Sequence, residues 1–495
     1  MIMRVRILIT AIIAVGLSAC KKSFIELAPQ TGVTEVTYFK TASDFTQAVV
    51  GAYVPLRNVY NDAYVMGEMR SDNATYFASP GLQGGQFSAK WDISGFLDIP
   101  ININGTNKYA NCYVGIARTN AILDRIDNAD VDATVKANLK GQAQFLRAFY
   151  YFELVQYFGG VPLHLKEVGS NAEAYLPRSS ADDVYKQIIA DATSAASLLP
   201  AQQSTKGMVT KGSAKTLLGY VYMTQKKYPE AEVVLTDVTG LGYSLVANYA
   251  DIFANKNTPE SIFEIQYLAG PQGQQNNFAF QFAPNVSEVK YILGVAGDNK
   301  TTGGWNKPTP DLIAAYENGD TRKDASIAFS YQTTDASGNV ITVNDTYCKK
   351  YTHPPYLFFN NAGDDWLVYR YADVLLLLAE CLNEEGKSTQ AIPYLNQVRA
   401  RAGLAATTAS GQGDLRIAIA KERRVELAFE NHRWLDLVRT GQAISVMSAF
   451  GTKIKTQLSY LPANAYTDIS SKRLIFPIPQ SEIDINKQLT QNPGY

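Results

Sequence analysis

Only three histidines occur in the 495 residues, His164, His353 and His432, and each stands alone in the sequence. An imidazole that works as a base needs an orienting partner and a reacting group within hydrogen-bond reach, so isolated histidines read as structural. The chain has no HExxH for zinc, no GxSxG nucleophile elbow, and neither GxGxxG nor GxxxxGK[ST] to cradle phosphate. Two carboxylate doublets, Asp182-Asp183 and Asp364-Asp365, suggest acid/base pairs. Adjacent side chains on a helix diverge, however, and Ser180 followed by Asp183 reads as a helix cap. Glycosidase carboxylates can lie far apart in sequence, so a surface glycoside hydrolase remains the first alternative. No catalytic residue, cofactor or metal ligand set is expected.

Binding chemistry is better represented. The chain holds 30 Tyr and 21 Phe, and several aromatics fall in stretches rich in Gly, Asn and Gln. A sugar ring presents C–H faces that stack on flat aromatic surfaces, while amides and carboxylates fix its hydroxyls; a peptide would use the same loops differently. The candidate ligand-binding residues are Asp72, Asn73, Tyr76, Phe77 and Trp91 in one such stretch, and Tyr291 and Trp305 in another. Packing beneath the loop is the bland alternative for each of them.

Helices must position those loops. Apolar residues step by three or four from Leu139 through Leu146 and Tyr150 to Leu154, and Gly159-Gly160 with Pro162 stops the run. A second helix starts at Ser180 and ends before Pro200. Residues 214–226 and 229–238 read as a helix pair, as do 371–385 and 388–401 around Gly386. These pairs resemble tetratricopeptide units without a strict 34-residue repeat. Residues 74–106 and 269–309 carry no sustained period and read as long loops.

At the N-terminus, Arg4 and Arg6 precede an apolar run over residues 7–17 and the sequence Leu17-Ser18-Ala19-Cys20. That run is about half the ~20 residues a spanning helix needs, so it reads as a signal peptide. Leu17 to Cys20 resembles a bacterial lipobox, which makes Cys20 the lipidated first mature residue. Residues 21–33 read as a flexible tether. Cys112, Cys348 and Cys381 remain, an odd number without metal-ligand spacing, which argues against a disulfide framework. A formal net charge of -1 gives no support to a nucleic-acid partner.

Four blocks together resemble the SusD/RagB family of nutrient-binding outer-membrane lipoproteins. They are the run Arg147-Ala148-Phe149-Tyr150-Tyr151-Phe152 leading to Gly159-Gly160-Val161-Pro162; Tyr369-Arg370-Tyr371-Ala372-Asp373 leading to Arg399-Ala400-Arg401; Glu422-Arg423-Arg424-Val425-Glu426 with Arg433-Trp434; and Pro477-Ile478-Pro479 with Asn492-Pro493-Gly494-Tyr495. The resemblance implies a mainly α, SusD-like fold with tetratricopeptide-like helix pairs and long irregular ligand-binding loops. It divides the chain into a signal peptide (1–19), a tether (20–33), an N-terminal helical region (34–240) and a C-terminal region with variable loops (241–495). It also implies a lipid-anchored protein of the cell outer membrane, facing the exterior. Such a protein binds an oligosaccharide, or alternatively a peptide, and hands it to a SusC-like TonB-dependent transporter. The charged residues of the conserved-looking helical blocks read as structural ion pairs: Glu422, Glu426 and Glu430 with Arg423, Arg424 and Arg433, Arg147 with Glu153, and Arg370 with Glu380.

Overall fold

Each apolar stripe in this chain is matched by a neighbouring one, and the result is a mainly α-helical body. The computed structural model describes residues 38–77, 86–286, 288–295 and 302–495. The signal peptide, Cys20 and the tether lie outside the described residues.

Helix α1 (Ala42–Asn61) starts at Thr41, whose hydroxyl accepts the Asp44 N–H while the Asp44 carboxylate accepts the Thr41 N–H. That reciprocal pair satisfies two of the N–H groups a helix start leaves open. Helix α2 (Ile103–Ile126) is capped by Asn102, and α3 (Ala133–Phe158) by Asp132. From Phe145 to Phe158 helix α3 is buried on nearly every side, as expected of a helix that is apolar all round and lies in the middle of a bundle. It packs against α1, α2 and α4 (Ala181–Leu198). The approach of α2 to α3 depends on Gly115, where a Cβ would lie 2.1 Å from the Tyr150 ring. Gly159, at φ +71°, ends α3 in a conformation that side chains resist.

Two helix pairs follow, as the periodicity predicts. Helices α5 (Lys211–Thr224) and α6 (Tyr228–Thr239) form the first, α7 (Tyr371–Glu384) and α8 (Ser388–Arg401) the second, and α6 packs on α7. Helix α9 (Gln412–Glu426) closes the array. Strand β1 (Ser261–Ile265) runs antiparallel to the fully buried β2 (Trp366–Arg370), with Ser261 opposite Arg370 and Ile265 opposite Trp366. This pairing sets Arg370 at the start of α7. One large apolar core spans the helices, and a smaller cluster holds Phe280, Val289, Leu293, Tyr331 and Tyr356.

Two expectations need correction. Residues 86–94 are helical and α2 begins at Ile103, inside a stretch read as loop; polar Gln, Ser, Lys and Asn residues there mask the period. The ion pairs are structural, but their partners differ. Arg370 binds Glu260, Glu426 and Glu430, while Glu380 pairs with Arg439. Arg147 binds Asp191, and Glu153 pairs with Lys108. Arg423 pairs with Asp373 and Asp436, and Arg424 and Arg433 both reach Asp72. Arg370 and Glu380 stand ten positions apart, about 15 Å along a helix, which exceeds their reach.

Candidate functional site

The segment from Glu68 to Phe77 carries four of the expected residues, Asp72, Asn73, Tyr76 and Phe77, and each is fixed from a different direction. Glu68 is buried, and its carboxylate accepts the Phe429 N–H (2.8 Å), the Asn431 N–H (3.2 Å) and the Asn73 amide (2.9 Å). Phe429 and Asn431 both have positive φ, so these bonds hold a turn that the backbone would otherwise resist. Burial pushes the Glu68 carboxyl up to about 7, against the opposing pull of those donors and of Lys350. Arg70, fully buried, lies 4.3 Å from both the Phe96 and Phe476 rings and pairs with Asp98.

Asp72 is gripped by Arg433 and Arg424, each at 2.8 Å. Burial raises its carboxyl, but the two guanidinium groups outweigh burial and hold it below the usual carboxylate range. Asn73 accepts from Arg424 Nε at 2.8 Å. Both residues are therefore committed to tying this segment to the C-terminal helices. Ala74 and Thr75 then pair antiparallel with Pro308 and Lys307, and the Thr309 hydroxyl donates to Asp72 O while capping the helix that follows.

That short ladder brings the aromatics of the two distant stretches together. Tyr76 stacks on Trp91 with ring centroids 5.3 Å apart and planes 12° from parallel, and it lies 6.0 Å from Trp305 and 5.5 Å from Tyr460. Tyr76 and Trp305 are buried at 3% and 2% exposure, whereas Trp91 and Phe77 are half-buried. The Phe77 N–H donates to Gly304 O, and the Lys307 ammonium stands 5.1 Å from its ring while pairing with Asp345. The buried Trp91 Nε1 has no hydrogen-bond partner among the described residues. Tyr291, half-buried, joins a different neighbourhood beside Lys290 and Glu288. The structure thus groups Tyr76, Phe77, Trp91 and Trp305, and Tyr291 stands apart beside Lys290.

Sequence reasoning missed Lys90. Its ammonium donates to Asp62 (2.7 Å), Tyr64 Oη (2.7 Å) and Gln281 Oε1 (3.3 Å), and it sits 5.3 Å from the Trp305 ring. No pattern in the sequence marks a lysine whose partners come from three distant segments. The arrangement offers a partly open indole backed by a buried tyrosine, a second half-open ring and neutralised charges. That set stacks a ring and bonds its edges; it holds no poised nucleophile.

A carboxyl pair outside this cluster bears on hydrolysis. Glu264 and Asp365 lie within hydrogen-bonding reach of each other, and burial raises both, Glu264 to about 7. Asp365 accepts the Tyr267 N–H (2.7 Å) and Lys256 Nζ (2.8 Å), and a cavity of about 240 Å³ adjoins Glu264. Glycosidase carboxyls stand about 5–5.5 Å apart when retaining and about 6.5–9.5 Å when inverting, leaving room for the scissile bond. Glu264 and Asp365 stand closer than either spacing, and burial favours the protonated form of each. His353 meets Asp364 at 2.8 Å, and His432 meets Tyr220 Oη at 3.1 Å in a buried setting.

Comparison with known proteins places these features in context. Residues 259–495 match the model of the SusD family, and residues 33–223 match a second family model described as starch-binding associating with outer membrane. A SusD-like protein of Formosa agariphila is 27% identical over 98% of this chain and 97% of its own length. Among solved structures, a laminarin binding SusD-like protein is 28% identical with a TM-score of 0.76, covering 92% of this chain and 100% of that one. Surface glycan-binding protein A from Bacteroides thetaiotaomicron is 25% identical with a TM-score of 0.75, again over 92% and 100% of the two chains.

Proposed function

The chain belongs to the SusD family, and from that premise we propose that it captures an extracellular glycan without cleaving it and delivers it to a SusC-like TonB-dependent transporter in the outer membrane. The observation that carries this reading is the half-buried Trp91 ring stacked on buried Tyr76, at the meeting point of the two loop stretches. Relatives of similar length and fold that bear glycan-binding names support the ligand class. Trp91 and Phe77 present ring faces to the ligand; Tyr76 and Trp305 support them from below, and Asp72 and Asn73 fix the segment that carries them. Tyr291 contributes from a second patch at most.

In this reading Cys20 carries the lipid that holds the protein to the membrane, with residues 20–33 as the tether and the exterior as the working side. Residues 34–240 and 241–495 form its two regions. Among the described residues no helix is long and apolar enough to cross a membrane. The non-catalytic reading is supported by relatives named for glycan binding, and the Glu264–Asp365 pair does not suit glycosidic cleavage.

The test is a binding screen of the protein from residue 21 against laminarin, starch and other polysaccharides, oligosaccharides and peptides, with product analysis on each mixture. Heat release with a glycan and no new reducing ends is the expected result. New reducing ends would overturn the non-catalytic reading, and binding of peptides alone would overturn the ligand class.

A further inference from the structure

Helices α1 and α2 enclose a cavity of about 200 Å³ whose polar lining is dominated by one side-chain type: Asn58, Asn61, Asn104, Asn107 and Asn111. The spacing explains the convergence. Asn104, Asn107 and Asn111 step by three and four along α2, and Asn58 and Asn61 by three along α1, so two amide stripes face each other across the helix pair. Val59, Ala63 and Met66 form an apolar floor, and no aromatic ring lines the space.

These amides keep unused capacity. Asn58 Nδ2 donates to Asn111 Oδ1 (3.0 Å), Asn111 Nδ2 to Asn107 O (2.8 Å), and Asn61 Nδ2 to Asp62 Oδ2 (3.2 Å). The side-chain oxygens of Asn58, Asn61 and Asn104, and both amide atoms of Asn107, have no hydrogen-bond partner among the described residues. The two ionic groups in the lining are already neutralised, Asp62 by Lys90 and Lys108 by Glu153. An ion would find no uncompensated opposite charge there. A neutral group that donates and accepts at adjacent atoms, such as a vicinal diol, suits paired amides.

We infer that this asparagine-lined cavity is a second saccharide subsite, taking the hydroxyl edge of one sugar residue while the chain stacks elsewhere on Trp91. The inference rests on the glycan reading above and deepens it. Asp62 links the two places, because Lys90 bonds Asp62 and also lies against the Trp305 ring of the aromatic cluster. A volume of about 200 Å³ exceeds the ~30 Å³ share of one water several times and admits a small polar ring. Recognition there is by hydrogen bonds, whereas at Trp91 it is by a ring face.

The test uses the protein from residue 21 with isotope-labelled asparagine, titrated with hexasaccharides and trisaccharides of laminarin, starch and mannan, and with tetraglycine. Asn58 and Asn107 are exposed, so Asn58→Ala with Asn107→Ala leaves melting temperature unchanged and isolates binding. Expected is a shift of the side-chain amide signals of Asn58, Asn61 and Asn107 with a hexasaccharide, and affinity about 10-fold weaker in the double variant. Hexasaccharide binding with unmoved amide signals and unchanged affinity in the variant would overturn the subsite and leave glycan capture standing. Binding by none of the saccharides would remove both readings together. Amide shifts with tetraglycine alone would reassign the cavity to peptide and overturn the inference.

Discussion

Replacing Trp91 and Trp305 separately by alanine distinguishes a ligand face from its support. Trp305 is 2% exposed and packs 6.0 Å from Tyr76, so its removal leaves a large void that neighbours fixed by ion pairs do not refill. Truncating a buried tryptophan costs about 3–5 kcal/mol of stability. Trp91 is half-buried and stacks on Tyr76 with ring centroids 5.3 Å apart. Losing one aromatic pair and part of an already wet surface costs about 1–2 kcal/mol. Against a bound glycan the order reverses. Trp91→Ala removes the stacking face, worth about 1–2 kcal/mol or roughly 5- to 30-fold in Kd. Trp305→Ala weakens binding only as far as the fold loosens. The assay pairs urea denaturation with calorimetric titration of laminarin or whichever glycan binds first, and Trp91→Phe serves as a control that keeps a ring and most of the affinity. Wild-type affinity in a folded Trp91→Ala protein would refute the assignment of that face. A stability loss at Trp91 equal to that at Trp305 would show that the indole is core.

Three further outcomes follow from buried and terminal groups. Burial raises the Glu264 carboxyl from 4.5 to about 7, so the folded state holds its proton more tightly than the unfolded chain; that stabilisation is complete below about pH 4.5 and is lost as pH rises through 7. Glu264→Gln should flatten urea stability between pH 5 and 8 by about 1–3 kcal/mol, and parallel pH slopes in variant and wild type would refute the raised Glu264 carboxyl. Arg370→Met leaves Glu260, Glu426 and Glu430 without their common partner and should lower the urea stability by about 3–5 kcal/mol; a loss below about 1 kcal/mol would mean the hub is dispensable. Cys20→Ala should move the protein from the membrane to the soluble fraction, since one lipid is its proposed attachment; unchanged fractionation would exclude that anchor.

Helix α3 could be read from sequence because its determinants are local, a 3.6-residue stripe from Leu139 and Gly159 at the end, although the cap at Asp132 starts it earlier than the stripe does. The same holds for Ser180 before α4, whose hydroxyl accepts the Asp183 N–H at 3.1 Å. Ion-pair partners are decided by topology instead. Glu426 has cations available on its own helix, yet Arg322, Arg370 and Arg401 reach it from three other segments. Burial by itself pushes the Glu426 carboxyl up, and those three guanidinium groups outweigh it and hold the group well below the ordinary range. Trp305 shows a subtler limit. Glycine and asparagine beside it signal a loop correctly, but the two-residue ladder of Ala74–Thr75 with Lys307–Pro308 turns that loop inward and buries the ring. The asparagine cavity needs the register of α1 against α2, which no single stripe encodes.

The charge distribution accounts for the neutral groups assigned to recognition in the proposed reading. Asp72, Arg70, Arg424 and Arg433 lie close to the aromatic cluster in sequence or space, yet all are consumed in holding the Glu68–Phe77 segment. Removing one of them to serve a ligand would leave a buried charge unpaired, at a cost of several kcal/mol that a sugar hydroxyl does not return. What remains for a ligand in that reading is the half-buried Trp91 ring, held by Tyr76, and a set of amides, each worth about 1 kcal/mol. Because the supporting segment is already ordered, little of that energy goes into immobilising the protein, and a few such contacts suffice for capture. The same few contacts keep the complex weak enough to dissociate, a property that a carrier passing its ligand onward requires and a tightly charged site would forfeit.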